Sequence, residues 1–249
     1  MSEIRAAVFD MDETLAPILQ PPLPSMTARI LQLLERMPFA VLTGRAFQQL
    51  DADFLKTLAD SPHAERAYLV TSGAAEAFTC EENSWVSAYA FKLGDDEVTK
   101  IRAAIDASLS ETGVLEGLPC YGERYLNKGS LFAYAMLGVP LPKAIDSSWD
   151  PGNARRSKLW HSLKEKLPEF DVVMGGMTSI DITKKGVNKA YGIGWLSERL
   201  GIAPGDILFV GDALYPGGND EIIRTTGAQI RVTSGPEETE RIIEELLAR

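Results

Sequence analysis

Asp10 and Asp12 stand one residue apart, directly after the apolar run Ala6-Ala7-Val8-Phe9. In an extended chain, side chains two apart share a face, so the spacing predicts that both carboxylates occupy one small volume. Two carboxylates held that close repel unless a cation lies between them or one takes a proton. The pair therefore fits a metal site, or a nucleophile beside an acid. A solvated acidic turn is the plainer reading of the same residues, because short motifs recur by chance.

Other chemistry-bearing residues fall at comparable places. Thr43-Gly44-Arg45 follows the apolar run Phe39-Ala40-Val41-Leu42, and Thr71-Ser72-Gly73 follows a run over residues 67–70. Lys189 opens an expected helix over residues 188–200, and Gly211-Asp212 follows a run over residues 206–210. In an open α/β sheet, ligands collect outside the carboxyl ends of the strands. That rule gathers Asp10, Asp12, Thr43, Lys189 and Asp212 as candidates for one site.

The elements that must position them alternate at first. A proline-rich loop, Pro17 to Pro24, leads to an amphipathic helix with Ile30, Leu31, Leu33 and Leu34 on its buried side. Ser25 or Thr27 is its expected cap, and Pro38 stops it. A helix over residues 46–59 and a strand over residues 67–70 follow. From about Phe78 the rhythm changes. A helix runs from Gly94-Asp95-Asp96 to about Thr112, and a hairpin turns around Asn127-Lys128-Gly129. Trp149-Asp150-Pro151-Gly152-Asn153 is a loop, residues 154–167 form a helix, and residues 170–183 form paired strands turning at Gly175-Gly176. Alternation then resumes, with helices over residues 188–200 and 236–248, strands over 206–210 and 229–232, and a further helix after Asn219-Asp220. The pattern predicts an α/β fold, a Rossmann-like parallel-sheet core with an inserted α+β unit. The expected core is residues 1–80 plus 186–249, and the expected insert is residues 81–185.

Composition narrows the functions. Lys+Arg of 25 against Asp+Glu of 35 gives a net charge of −10, poor footing for nucleic-acid binding. A small anionic substrate needs local positive charge or a metal to offset that field. The two cysteines, Cys80 and Cys120, make no disulfide framework, and the two histidines, His63 and His161, make no His-rich zinc site. No apolar run reaches the length of a membrane span and no secretory pattern opens the chain, so a cytoplasmic protein without a membrane partner is expected. An oligomeric partner is left open.

The motifs Asp10-x-Asp12-x-Thr14, Thr43, Lys189 and Gly211-Asp212 with Asn219-Asp220 resemble, in order, the four motifs of the haloacid dehalogenase superfamily of phosphotransferases. The insert, residues 81–185, resembles the large α/β cap of its Cof-type (IIB) subfamily, which implies a cap domain that sets substrate specificity. In the C-terminal half, Gly175-Gly176-Met177-Thr178-Ser179-Ile180-Asp181-Ile182, with Gly186 and Lys189, is similar to eukaryotic-type phosphomannomutases. So are Gly211 to Asp220 and Thr233 to Thr239, whereas Thr43-Gly44-Arg45 looks more like the phosphatases of the subfamily. Those mutases carry arginines around the cap hairpin; here Cys120 or Asn127 stands where arginine is expected, with Arg124 nearby.

The resemblance implies roles. Asp10 is the nucleophile, forming an aspartyl-phosphate that water hydrolyses. Asp12 is the general acid and base, Thr43 donates a hydrogen bond to the phosphoryl group, and Lys189 balances the crowded negative charge. Mg²⁺ is expected on Asp10, the Asp12 carbonyl and Asp212, supported by Asn219 and Asp220. Gly44 and Arg45 are expected to meet substrate. In the cap, alternation puts Ser179, Asp181 and Thr183 on one strand face, where Ser179 and Asp181 are expected to bind substrate hydroxyls, and Ile180 and Ile182 on the other. Lys128 is the candidate for a distal anionic group. Glu13 stands where the superfamily often has glycine. The expected activity is a Mg²⁺-dependent phosphatase acting on a small phosphorylated metabolite, a sugar phosphate. A phosphomannomutase interconverting mannose 1- and 6-phosphate is the alternative, and a non-catalytic sugar-phosphate binder a third.

Overall fold

The apolar run before the acid pair forms strand β1 (Ala6–Phe9), which lies inside a seven-stranded sheet in a computed structural model describing residues 3–142, 145, 147–215 and 218–248. Its neighbours are β2 (Phe39–Leu42) and β10 (Ile207–Gly211), both parallel to it. Every residue of the three strands is buried, because helices cover both faces of the sheet. Ala7 and Phe9 pack with Ile30 and Leu34 of α1 (Pro24–Arg36) and with Ile242 and Leu246 of α6 (Pro236–Leu247). Ala6 and Val8 face the other core, with Leu42, Ile193 and Leu196, the last two on α5 (Lys189–Leu200). A Cβ on Gly192 would stand 2.8 Å from the Leu42 side chain, so the missing side chain lets α5 lie close against β2. That approach carries Lys189, the first residue of α5, to the ends of the strands.

The sheet continues on one side to β11 (Gln229–Val232) and on the other to β3 (Ala67–Thr71), all parallel. From β1 the chain crosses first to β2, while β10 takes the opposite flank, so the strand order reverses at β1. This is the place where open sheets of this kind leave a crevice.

Beyond β3 the sheet adds an antiparallel hairpin, β4 (Glu76–Glu81) and β5 (Ser84–Ala90). The chain divides accordingly into one unit of Met1–Ala90 with Asn188–Arg249 and a second of Phe91–Val187, so β5 belongs to the first unit and not to the insert. The hairpin breaks the strand-helix alternation without leaving the sheet. Glu82 and Asn83 take positive φ of 46° and 59° in its two-residue turn, the geometry that matches strand twist. Trp85 anchors the hairpin by donating its indole N–H to the Leu55 carbonyl at 3.1 Å.

Two helix starts also differ from expectation. Residues 46–59 split into a short 3₁₀ turn, Phe47–Gln49, and α2 (Ala52–Ala59), because Asp51 accepts from the Phe54 N–H at 2.8 Å and begins a new helix. Helix α1 starts at Pro24, whose fixed φ suits a first turn, and neither Ser25 nor Thr27 caps it. The Ser25 hydroxyl donates to Glu240 instead, and that of Thr27 to the Leu23 carbonyl.

The second unit is a four-stranded antiparallel sheet in the order β6 (Glu123–Asn127), β7 (Phe132–Val139), β9 (Ser179–Lys184), β8 (Phe170–Gly175). Phe132, Tyr134, Ile180 and Ile182 pack against Ile101 and Ile105 of α3 (Asp95–Thr112) and Leu159 and Leu163 of α4 (Ala154–Lys166). In the β6–β7 turn the Asn127 side chain accepts from the Gly129 N–H at 2.9 Å. Among the described residues, no helix is long and apolar enough to cross a membrane.

Candidate active site

Strand β1 ends at Phe9, and Asp10 follows, its N–H donating to the Val210 carbonyl of β10 at 3.0 Å. Helix α5 begins beside it, capped by Asn188, whose side-chain oxygen accepts from the N–H groups of Ala190 and Tyr191 at 3.0 and 3.3 Å. The Lys189 ammonium donates to Asp10 Oδ1 at 2.8 Å and also to Asp220 Oδ1. Asp10, Lys189 and Asp220 are 5%, 4% and 0% exposed, so the contacts form almost without water. Low local dielectric strengthens such pairs and makes an unpaired charge costly.

The acids outnumber the cation. Asp10, Asp212 and Asp220 each offer a carboxylate oxygen, all within 4.8 Å of one another. Burial, with Asp220 and Asp12 adding negative charge, outweighs the pull of Lys189 and pushes the Asp10 carboxyl up to about 7. Burial and Asp220 push Asp212 up to about 6. Burial disfavours the Lys189 ammonium, but Asp10 and Asp220 overcome that and hold it above its ordinary value. Near neutral pH this group must take either a proton or a further cation.

The donor set fits a hard divalent ion such as Mg²⁺, which prefers oxygen ligands. Among the described residues, Asp220 Oδ2 and Asn219 Oδ1 are buried without a hydrogen-bond partner, which fits a site with ligand capacity in reserve. Asp220 does not cap the segment after it: its side chain goes to Lys189, and residues Glu221–Thr225 form a 3₁₀ turn where an α-helix was expected. Gly211 makes this possible. A Cβ there would lie 2.4 Å from Asp220 Oδ2 and 2.8 Å from the Phe209 ring.

Asp12 takes a different direction from Asp10. The chain leaves the extended form after Phe9, and Asp12 makes an isolated bridge with Ala16. Its carboxylate meets Arg45, whose Nε donates to Oδ2 at 3.0 Å and whose Nη2 donates to Oδ1. Arg45, expected to contact substrate, is thus buried and occupied; it also donates to the Gln20 carbonyl at 3.2 Å. Neither Gln20 nor the Leu19 N–H, which donates to Asp12 Oδ1 at 2.7 Å, was singled out from sequence, since backbone groups leave no signal there.

Thr43 is buried at the end of β2. Its hydroxyl oxygen accepts from the Arg45 N–H at 3.1 Å, which leaves the hydroxyl hydrogen for donation elsewhere. Gly44 links the two residues in a bend. Glu13 has a physical account as well. It takes φ 57°, a left-handed conformation that favours glycine, and its carboxylate accepts from the Ile18 N–H at 2.8 Å. The hydrogen bond offsets part of the strain.

The remaining candidates lie in the second unit. Ser179 donates its hydroxyl within reach of the Gly175 carbonyl at 2.9 Å and Asp181 Oδ1 at 3.0 Å, and Asp181 is buried. The Thr183 hydroxyl donates to the Val187 carbonyl at 2.6 Å. The polar side of β9 is therefore an internal network in which Ser179 and Asp181 already engage each other. Lys128 sits in the β6–β7 turn, its N–H donating to the Leu131 carbonyl at 2.9 Å.

Solved structures share this architecture. The IMP-bound IMP-nucleotidase of Plasmodium falciparum is similar with a TM-score of 0.77 at 18% identity, over 99% of this chain and 69% of that one. A haloacid dehalogenase-like hydrolase from Bacteroides thetaiotaomicron is similar with a TM-score of 0.58 at 13% identity, over 98% of this chain and 100% of that one. The chain has the haloacid dehalogenase fold. Within that fold, the sucrose-phosphatase of Synechocystis, solved with sucrose and phosphate, is similar with a TM-score of 0.55 at 16% identity, over 98% of this chain and 88% of that one. Residues 145–249 match the family model for eukaryotic phosphomannomutase. A probable phosphomannomutase of Caenorhabditis elegans is 25% identical over 261 residues, which span 96% of this chain and 94% of the relative.

Proposed function

We propose that this chain of haloacid dehalogenase fold is a Mg²⁺-dependent phosphomonoesterase acting on a small phosphorylated metabolite, a sugar phosphate, through an aspartyl-phosphate on Asp10. The observation that carries the reading is the set of buried Asp10 and Asp220 and half-buried Asp212 gathered with Lys189 at the strand ends. A protein that only binds sugar phosphates has no use for an acid so placed. Asp10, Asp212 and Asp220, with Asn219 and the Asp12 carbonyl in support, would hold the ion, which when bound supplies positive charge against an anionic phosphoryl group.

In the first half-reaction a carboxylate oxygen of Asp10 attacks phosphorus and the bond to the ester oxygen breaks. Asp12 gives that leaving oxygen its proton. Thr43 donates its free hydroxyl hydrogen to a phosphoryl oxygen, and Lys189 offsets charge that moves onto the group. In the second half-reaction water attacks the same phosphorus, its proton passes to Asp12, and the bond to Asp10 breaks, restoring the carboxylate.

A second reading, phosphomannomutase, is favoured by the match of residues 145–249 to that family model. One assay separates them. With Mg²⁺ and mannose 1-phosphate, steady release of inorganic phosphate supports the esterase, and accumulation of mannose 6-phosphate supports the mutase. A protein inert toward a broad panel of phosphate esters would overturn both and favour a binder.

A further inference from the structure

Arg45 is 6% exposed, and its guanidinium is spent on three oxygens from two residues. Nε and Nη2 grip the two oxygens of Asp12 as a fork, while Nη1 and Nη2 reach the Gln20 carbonyl. Its own backbone is tied down at both ends: its N–H donates to Thr43 Oγ1 at 3.1 Å, and its carbonyl accepts from the Ser72 N–H at 2.7 Å. We infer that Arg45 is a positioning residue that fixes the plane and place of the Asp12 carboxylate for proton transfer, and not a contact for the substrate. The inference rests on the phosphotransfer reading above.

The hydrogen-bond count says which oxygen acts. A carboxylate has about four acceptor sites, two on each oxygen. Among the described residues, Asp12 Oδ1 receives both the Arg45 Nη2 hydrogen and the Leu19 N–H, whereas Oδ2 receives only the Arg45 Nε hydrogen. One acceptor site remains, on Oδ2. The open site on Oδ2 is therefore where a proton can be exchanged: with the ester oxygen as the phosphorus–oxygen ester bond breaks, and with the attacking water as the bond to Asp10 breaks. A planar fork sets this geometry in a way that a lysine, a point charge on a flexible stem, does not.

The test compares kcat/KM for an alkyl phosphate, whose leaving oxygen needs a proton, with that for dinitrophenyl phosphate, whose leaving oxygen does not. The proteins are wild type, Arg45→Met, Arg45→Lys, Asp12→Asn and the double variant Arg45→Met with Asp12→Asn. A lost general acid costs on the order of 10²–10⁴, so Arg45→Met is expected to lose about 10²-fold or more on the alkyl ester and less than about fivefold on the dinitrophenyl ester. In the Asp12→Asn background Arg45→Met costs nothing further, because the two residues act as one unit. Arg45→Lys restores less than about tenfold. Equal losses on both esters, or multiplied losses in the double variant, would place Arg45 on the phosphoryl group and overturn the inference. Should Arg45→Met fail to fold, Arg45→Lys, which keeps the charge, carries the same comparison. Failure of the underlying phosphotransfer reading shows separately, as turnover that survives Asp10→Asn.

Discussion

The Lys189 ammonium lies 2.8 Å from Asp10 Oδ1, a contact that joins residues 179 positions apart and ties the start of α5 to the end of β1. The same ammonium holds Asp220, so one buried cation organises acids delivered by two separate loops. Its energetic weight is set by burial, because removing one partner of a buried ion pair leaves the other uncompensated.

Lys189→Met is accordingly expected to destabilise the metal-free protein by about 3–5 kcal/mol at neutral pH. Adding Asp220→Asn to that variant should recover part of the loss. Denaturant unfolding measures both, and a loss under about 1 kcal/mol would contradict the role given to this cation.

The pH dependence follows from the raised acids. Asp10 and Asp212 stand at about 7 and about 6 in the folded protein against a usual 3.8. Between those limits the folded state holds protons that the unfolded chain has released, so their contribution to stability falls as pH rises from about 4 to about 7. Mg²⁺ competes with those protons. The rise in Tm on adding Mg²⁺ is therefore expected to be larger at about pH 7.5 than at about pH 5. A metal-induced shift that is equal at both values, or larger in acid, would contradict the assignment of these carboxylates as ligands.

Gly211→Ala tests the packing beneath the acids. The new methyl group would stand 2.4 Å from Asp220 Oδ2 with the Phe209 ring behind it, so the carboxylate must move off Lys189. The expected cost is about 1–3 kcal/mol of stability, together with weaker Mg²⁺ binding by titration calorimetry. Unchanged Mg²⁺ affinity would show that Asp220 is not part of the metal-binding set.

In the second unit, Asp150 accepts from the N–H groups of Arg155 and Arg156 at 2.8 and 3.0 Å and lies 3.7 Å from the Arg156 guanidinium. It caps α4 from a loop, and Asp150→Ala is expected to cost about 2 kcal/mol or more in thermal unfolding. A change under about 0.5 kcal/mol would mean that the backbone N–H groups find water at no cost.

What the sequence disclosed follows from what kind of interaction each residue makes. Strands β1, β2 and β10 were legible because burial on both faces demands uninterrupted apolar runs, as in Ala6 to Phe9. Ser179 and Asp181 were legible as polar positions, but their partners were not: Ser179 turns to Asp181 and Gly175 by contacts that no spacing rule announces. Arg45 was misdirected for the same reason. Its proximity to Asp12 depends on two strands lying side by side, and the carbonyl of Gln20 that completes its shell is invisible in a one-letter code. Strand β5 falls in the expected insert because alternation stops near Phe78, although its pairing to β4, which pairs with β3, keeps it in the first sheet.

Trapping the acyl phosphate tests the central claim most directly. The protein is mixed with Mg²⁺ and a turned-over phosphate ester, quenched within the first turnovers, and reduced with borohydride, which converts an aspartyl-phosphate to homoserine that peptide mass spectrometry locates. Homoserine at position 10, absent when the ester is omitted, is the predicted result. Full phosphate release with position 10 recovered only as aspartate would contradict nucleophilic attack by Asp10.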